Sequence, residues 1–148
     1  MGVCVFGAVC CGALVTNIPL KDWVARPRPF LSGYAEWWQF VGAPAEDGFS
    51  FPSGHATACM AGTLALCLTG RAKARWGLLA FPALVAASRN YLMAHYPSDV
   101  LAGLLIGACA AMIACDITNF IYRYLHAHEN RRWCRFALRA DARRFFTR

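Results

Sequence analysis

Charge is scarce in this chain, and negative charge scarcer still: 16% of its 148 residues are charged, with eight Asp and Glu against fifteen Lys and Arg. A chain so poor in charge, 58% hydrophobic with mean hydropathy +0.38 and its apolar residues bunched into long runs, falls outside the ordinary soluble class and belongs with membrane proteins. The eight cysteines contain no C-x-x-C pair and no metal-ligand spacing. Seven of them, from Cys4 to Cys115, sit in apolar runs and read as small hydrophobes, and only Cys134 has polar neighbours. No cationic stretch precedes the first apolar run, which argues against a secretory leader. Phe6 stands where N-myristoylation needs Ser or Thr.

The positive charge that exists is concentrated. Arg71, Lys73 and Arg75 form one short cluster, and eight arginines lie between Arg123 and Arg148, both groups at the ends of apolar runs. That placement fits contact with anionic headgroups on the cytoplasmic side better than it fits nucleic acid, which is not expected as a partner.

Read in order, Val3 to Leu20 is a first apolar span ended by Pro19, followed by the cationic loop Lys21 to Pro29, where two prolines force an extended or turning backbone. Phe30 to Phe51 is aromatic and mixed, too polar to span, and Tyr34 to Val41 could lie in the headgroup layer as a short amphipathic helix or be an interfacial loop. A second span opens at Pro52-Ser53-Gly54-His55 and runs to about Gly70. Gly54 allows close approach of a ligand, and a new helix's exposed N–H groups favour an anion. Trp76 to about Ala94 crosses back, with a kink expected at Pro82, and Asp99 or Val100 to about Phe120 forms a fourth span. The basic tail beyond Tyr122, with Phe136, Leu138, Phe145 and Phe146, reads as a solvated or membrane-surface helix. Residues 1–122 are therefore expected to form one membrane domain and 123–148 a cytoplasmic tail.

The chemistry concentrates in Ser88 to Asp99. Arg89 lies near the end of an apolar run, where a permanent charge is costly without an anionic partner. His95 falls where the helix should stop, before Tyr96 and Pro97, and Asp99 follows closely enough to hold the imidazole's tautomer. The other ring nitrogen would then be free to act as nucleophile or base. An equally simple reading is a histidine capping a helix end beside a surface salt bridge. Topology adds weight to the first. A helix of roughly 18 residues covers about 27 Å, close to the hydrocarbon thickness, so the return span brings Arg89 and His95 to the face that holds His55. The first span, if it crosses, delivers Lys21 and Arg28 to that face, and the basic turn and tail fall on the other, which the positive-inside rule makes cytoplasmic. The same charge count would put the Lys21 to Arg28 loop in the cytoplasm, but those cations are better explained as ligands of a substrate. The site is expected to face outward.

Taken together the residues resemble a known family. Lys21 with Arg28-Pro29 matches K-x6-R-P, Pro52 to His55 matches P-S-G-H, and Ser88-Arg89 with His95 and Asp99 matches S-R-x5-H-x3-D. This is the three-part signature of the type 2 phosphatidic acid phosphatase superfamily, which also contains bacterial acid phosphatases and vanadium haloperoxidases. The resemblance implies an all-α membrane bundle of about four transmembrane helices with its active site at one membrane face. It implies that His95 is the nucleophile and forms a phosphohistidine, that Asp99 orients it, and that His55 protonates the leaving oxygen and later activates water. Lys21, Arg28 and Arg89, with the Ser53 hydroxyl and the Gly54 N–H, would hold the phosphoryl oxygens, without metal or cofactor. Fixed cations and a helix start can supply the charge stabilisation such a transfer needs. Arg26 lies outside the matched spacing and is given no catalytic role.

Membrane members usually have six spans with the first signature after the third, so two helices have no counterpart ahead of Lys21: the chain is a short member, a fragment, or one whose start was placed at an internal methionine, and it either encloses its site alone or shares it with a second copy or with helices supplied elsewhere. The expected activity is hydrolysis of a phosphomonoester or diphosphate of a membrane lipid, of the phosphatidic acid, phosphatidylglycerol phosphate or undecaprenyl diphosphate type, at the plasma membrane. A lipid phosphotransferase would use the same intermediate. A non-catalytic lipid-phosphate-binding or scaffold protein of the same fold would need the cations but no paired histidines.

Overall fold

The computed structural model describes residues 1–31 and 47–134, and among them it is helical throughout, with no strand. Helix α1 (Gly2–Val15) passes into a π-helical turn, Thr16–Leu20, and then into the short α2 (Lys21–Val24). A 3₁₀ turn at Pro29–Leu31 follows; then come α3 (Gly54–Thr69), a 3₁₀ stretch at Lys73–Leu79 running into α4 (Ala80–Tyr91), and the long α5 (Pro97–Ala127). The chain divides into two compact units, Met1–Cys115 and Asp116–Arg148, and the cavity and the residues around it lie in the first. The expected helix at Tyr34–Val41 and the tail beyond Cys134 lie outside the described residues.

Two helical segments, Gly2–Leu31 and Pro97–Ala127, are long and apolar enough to cross a membrane. The way side chains are sorted explains how such helices pack. The core is built from small residues: Cys4, Ala8, Ala61, Ala65, Ala110, Ala111, Ala114 and Cys115 form one buried cluster. The bulky apolar residues point the other way, with Phe6 73%, Leu84 69% and Leu105 69% exposed. That inversion suits a lipid solvent, where helices gain little by hiding large apolar groups and most by close backbone approach. Gly103 and Gly107, one turn apart on α5, make the approach to α3 possible. A Cβ on Gly103 would lie 2.6 Å from the Ser53 carbonyl, and one on Gly107 would run into that of Thr57.

Three expected boundaries are corrected. Pro19 does not end the first helix; its missing N–H falls within the π turn, and the helical path continues until Ala25, which takes the left-handed conformation at φ 45°. Pro82, where a kink within a long span was expected, instead lies in the first turn of α4, just after the 3₁₀ stretch passes into α-helix. The return segment is instead a seven-residue 3₁₀ stretch followed by twelve α-helical residues. Finally, α5 starts at Pro97, slightly before the expected Asp99, and continues to Ala127.

Candidate active site

Each of the three motifs sits at a break in helical structure, where backbone groups and side chains can face a common space. The π turn and α2 present Lys21 before the chain reverses at Ala25, and Arg28 follows as an almost fully buried guanidinium, 3% exposed. Its donors bind three backbone carbonyls: Nε to Gly48 at 2.9 Å, Nη1 to Ala94 at 3.1 Å and Nη2 to Asp47 at 3.1 Å. Arg28 thus ties its own loop to the segment before α3 and to the residue preceding His95.

At the second motif Ser53 is the N-cap of α3, its Oγ accepting from Ala56 N at 3.5 Å, and it is fully buried. Expected among the phosphate ligands, its hydroxyl is placed here under the helix start. Gly54 and His55 come next and face the open side. Below them Thr57 donates to the Ser53 carbonyl at 2.9 Å and meets Thr16 Oγ1 at 3.3 Å, while Ser53 N donates to the Asp99 carbonyl at 3.0 Å. Polar bonds therefore link α3 to the π turn and to α5.

The third motif delivers His95 from the turn between α4 and α5, where Met93 has φ 48°. The imidazole is 3% exposed and its Nδ1 lies 2.6 Å from the Ser50 carbonyl. A carbonyl only accepts, so Nδ1 carries the proton and Nε2 keeps its lone pair. The expected orientation of the ring is thus assigned, but by Ser50. Asp99, fully buried, directs Oδ1 to Arg26 Nη1 at 2.7 Å and accepts from the Tyr96 N–H through Oδ2 at 2.9 Å. Burial above all lowers the His95 pKa from 6.5 to about 4; the Arg28 and Arg89 charges add to it, against the Ser50 hydrogen bond and Asp99. The ring is neutral at physiological pH, as a nitrogen nucleophile must be.

A cavity of about 500 Å³ gathers Lys21, Arg28, Gly54, His55 and His95 with Ala13, Asn17, Asp47 and Ala58. Five of the eight expected site residues share this lining. Arg89, Asp99 and Ser53 are not in its lining, though the Arg89 and Asp99 charges act on His95. The apolar alanines and the cationic groups give one space two characters, suited to an anionic headgroup attached to an apolar chain.

Residues 2–123 match the family model described as the PAP2 superfamily. The chain belongs to this superfamily. It is 39% identical over 77 residues to an undecaprenyl-diphosphatase of Sulfolobus acidocaldarius, covering 51% of this chain and 37% of that protein. It is 34% identical over 120 residues to a lipid A 1-phosphatase of Rhizobium johnstonii, covering 79% of this chain and 48% of that one. The crystal structure of Aquifex aeolicus LpxE superposes with a TM-score of 0.57 at 26% identity, over 77% of this chain and 66% of that one. The chain spans less than half the length of these two curated relatives.

Sequence reasoning left out four residues that shape this PAP2 site. Asn17 and Asp47 line the cavity, Ser50 holds the histidine, and Arg26 holds Asp99. Asn17 had a signal, since it lies one helical turn before Lys21 on the same face. Ser50 acts through its backbone carbonyl, which no residue type announces.

Proposed function

We propose that this chain is a metal-independent membrane phosphatase that hydrolyses a phosphomonoester or diphosphate of a membrane lipid, of the phosphatidic acid, phosphatidylglycerol phosphate or undecaprenyl diphosphate type. The observation that carries this reading is the shared cavity of Lys21, Arg28, Gly54, His55 and His95. His95 Nε2 attacks phosphorus, a P–N bond forms as the P–O bond to the lipid breaks, and His55 gives its proton to the departing oxygen. Water, losing a proton to His55, then displaces the imidazole and releases phosphate. Lys21, Arg28 and Arg89, with the Gly54 N–H at the start of α3, stabilise the charge on the equatorial oxygens, and Asp99 supports the histidine from behind.

Four membrane crossings fit the elements. The 3₁₀ stretch and α4 together extend roughly 30 Å, because 3₁₀ backbone rises faster per residue than α, and α3 covers about 24 Å. The positive-inside rule places the Arg71–Arg75 turn and the arginine-rich tail in the cytoplasm and the cavity on the outer face of the plasma membrane. An impermeant thiol reagent should reach a cysteine placed at Gly48, and not one at Gly70, in intact cells with the native cysteines replaced. The reverse pattern would invert the orientation.

Phosphate release by the purified chain in detergent with excess EDTA, measured on lipid phosphates and prenyl diphosphates beside His95→Ala, tests the activity. Release that disappears in the variant is expected. Lipid phosphate binding without release from any substrate would make the chain a binding protein of this fold, and release equal in the variant would end the mechanism.

A further inference from the structure

Arg26 falls outside every signature position, yet its side chain makes several ties to the turn that bears the histidine. Its Nη1 lies 2.7 Å from Asp99 Oδ1 and 2.7 Å from Ser98 Oγ, and its guanidinium carbon sits 3.8 Å from the centroid of the Tyr96 ring. Its backbone carbonyl accepts from Ser50 N at 2.9 Å, and Ser50 is the residue whose own carbonyl receives His95. Arg26 therefore reaches His95 by two routes. One runs through backbone, from Arg26 to Ser50 to the imidazole; the other runs through charge, from Arg26 to the buried Asp99.

We propose that Arg26 is a positioning residue for the reaction assigned above: it clamps Asp99, Ser98 and Tyr96 so that the turn between α4 and α5 presents His95 to the cavity in one orientation. With Arg26 on one carboxylate oxygen and the Tyr96 N–H on the other, both acceptors of Asp99 are engaged and its charge is balanced. A planar guanidinium is the side chain that can bond a carboxylate and a hydroxyl while stacking on a tyrosine. Lysine could keep the charge and lose the geometry.

The inference rests on the phosphatase reading, and the test separates the two. Full-length Arg26→Gln and Arg26→Lys are prepared beside the wild-type chain, and three quantities are followed: kcat and KM for phosphate release, affinity for orthovanadate, and the titration of the His95 imidazole by ¹⁵N NMR. The charges around that ring come from every packed segment: Lys21 and Arg28 from the first loop, Asp47 before α3, His55 on α3, Arg89 on α4 and Asp99 on α5. Of these, Asp99 is bonded to the Arg26 side chain and loses that partner when Arg26 is replaced. An unpaired Asp99 carboxylate favours the imidazolium, so the His95 titration and the acid limb of activity should move to higher pH in Arg26→Gln. A misplaced nucleophile should lower kcat by about 10²-fold with KM and vanadate affinity little changed. Arg26→Lys should recover part of kcat and return the titration towards wild type.

An unmoved titration in Arg26→Gln overturns the proposal. So does a loss of vanadate affinity in proportion to kcat, which would make Arg26 a general support of the fold. If the wild-type chain releases no phosphate, the phosphatase reading fails, while the titration still decides whether Arg26 sets the state of His95.

Discussion

The two halves of α3 hold their neighbours by different means. At the Ser53–Thr57 end, contact is polar and directional: Thr57 meets Thr16, Ser53 N binds the Asp99 carbonyl, and the adjoining loop carries Arg28 and its three carbonyl partners. At the Ala61–Ala65 half, contact is dry and steric, made by Ala8, Cys4, Ala110 and Ala111. In a lipid solvent the second kind sets how near the helices come, and the first sets which groups face one another. A site that must place two histidines and several cations needs both.

The largest effect should come from the polar end. His95→Ala should remove covalent phosphoryl labelling and cut turnover by at least about 10³-fold, as loss of a nucleophile does elsewhere, while the helices remain assembled. Labelling that persists would place the nucleophile on another residue. The steric half should answer in stability instead. Gly107→Ala drives a Cβ into the Thr57 carbonyl and should destabilise the chain by about 1–3 kcal/mol. Gly77→Ala, with nothing within 4 Å, should cost little of that kind. Thermal melting of both in detergent checks the difference, and equal melting would mean that α3 and α5 approach less closely than described.

This contrast also explains what the sequence allowed to be read. Lys21, Arg28, His55 and His95, which line one cavity, were singled out in the sequence because charge and imidazole inside an apolar chain need a chemical reason. The spacing Gly103-x-x-x-Gly107 was not singled out in the sequence, and its consequence depends on which backbone lies opposite. The π turn around Pro19 and the 3₁₀ stretch at Lys73–Leu79 were not legible, since local backbone register answers to packing as much as to residue type. The partner of Asp99 was misjudged for a related reason. Proximity in sequence pointed to His95, whereas Arg26, distant in sequence, stands beside Asp99 in space.

Acidity should weaken the polar end. Folded His95 stays neutral down to about pH 4, whereas the same side chain in an unfolded chain takes a proton near pH 6.5. Between those values the unfolded state binds more proton, so this residue lowers stability as pH falls from 6.5 towards 4 and has no effect on the slope above. His95→Gln, which has no proton to gain, should melt with a shallower dependence over that window. A slope equal to wild type would mean that His95 is less enclosed than its 3% exposure indicates.

The smallest expected effect separates two roles at one residue of that same end. Ser53 Oγ caps α3 through a long bond of 3.5 Å to Ala56 N and is fully buried, so removing it should cost about 1 kcal/mol. Gly54, the next residue, lines the cavity, and Ser53 does not. Ser53→Ala should therefore melt earlier yet bind orthovanadate within about twofold of the wild-type chain, since a backbone donor survives the substitution. Ser53→Gly, a tolerable cap without a hydroxyl, should recover most of the stability and leave binding where it was. If vanadate affinity instead falls alike in both variants, the hydroxyl turns out from under the helix to meet the anion. The polar end would then rearrange on binding, and the dry half of α3 would be the fixed part against which it moves.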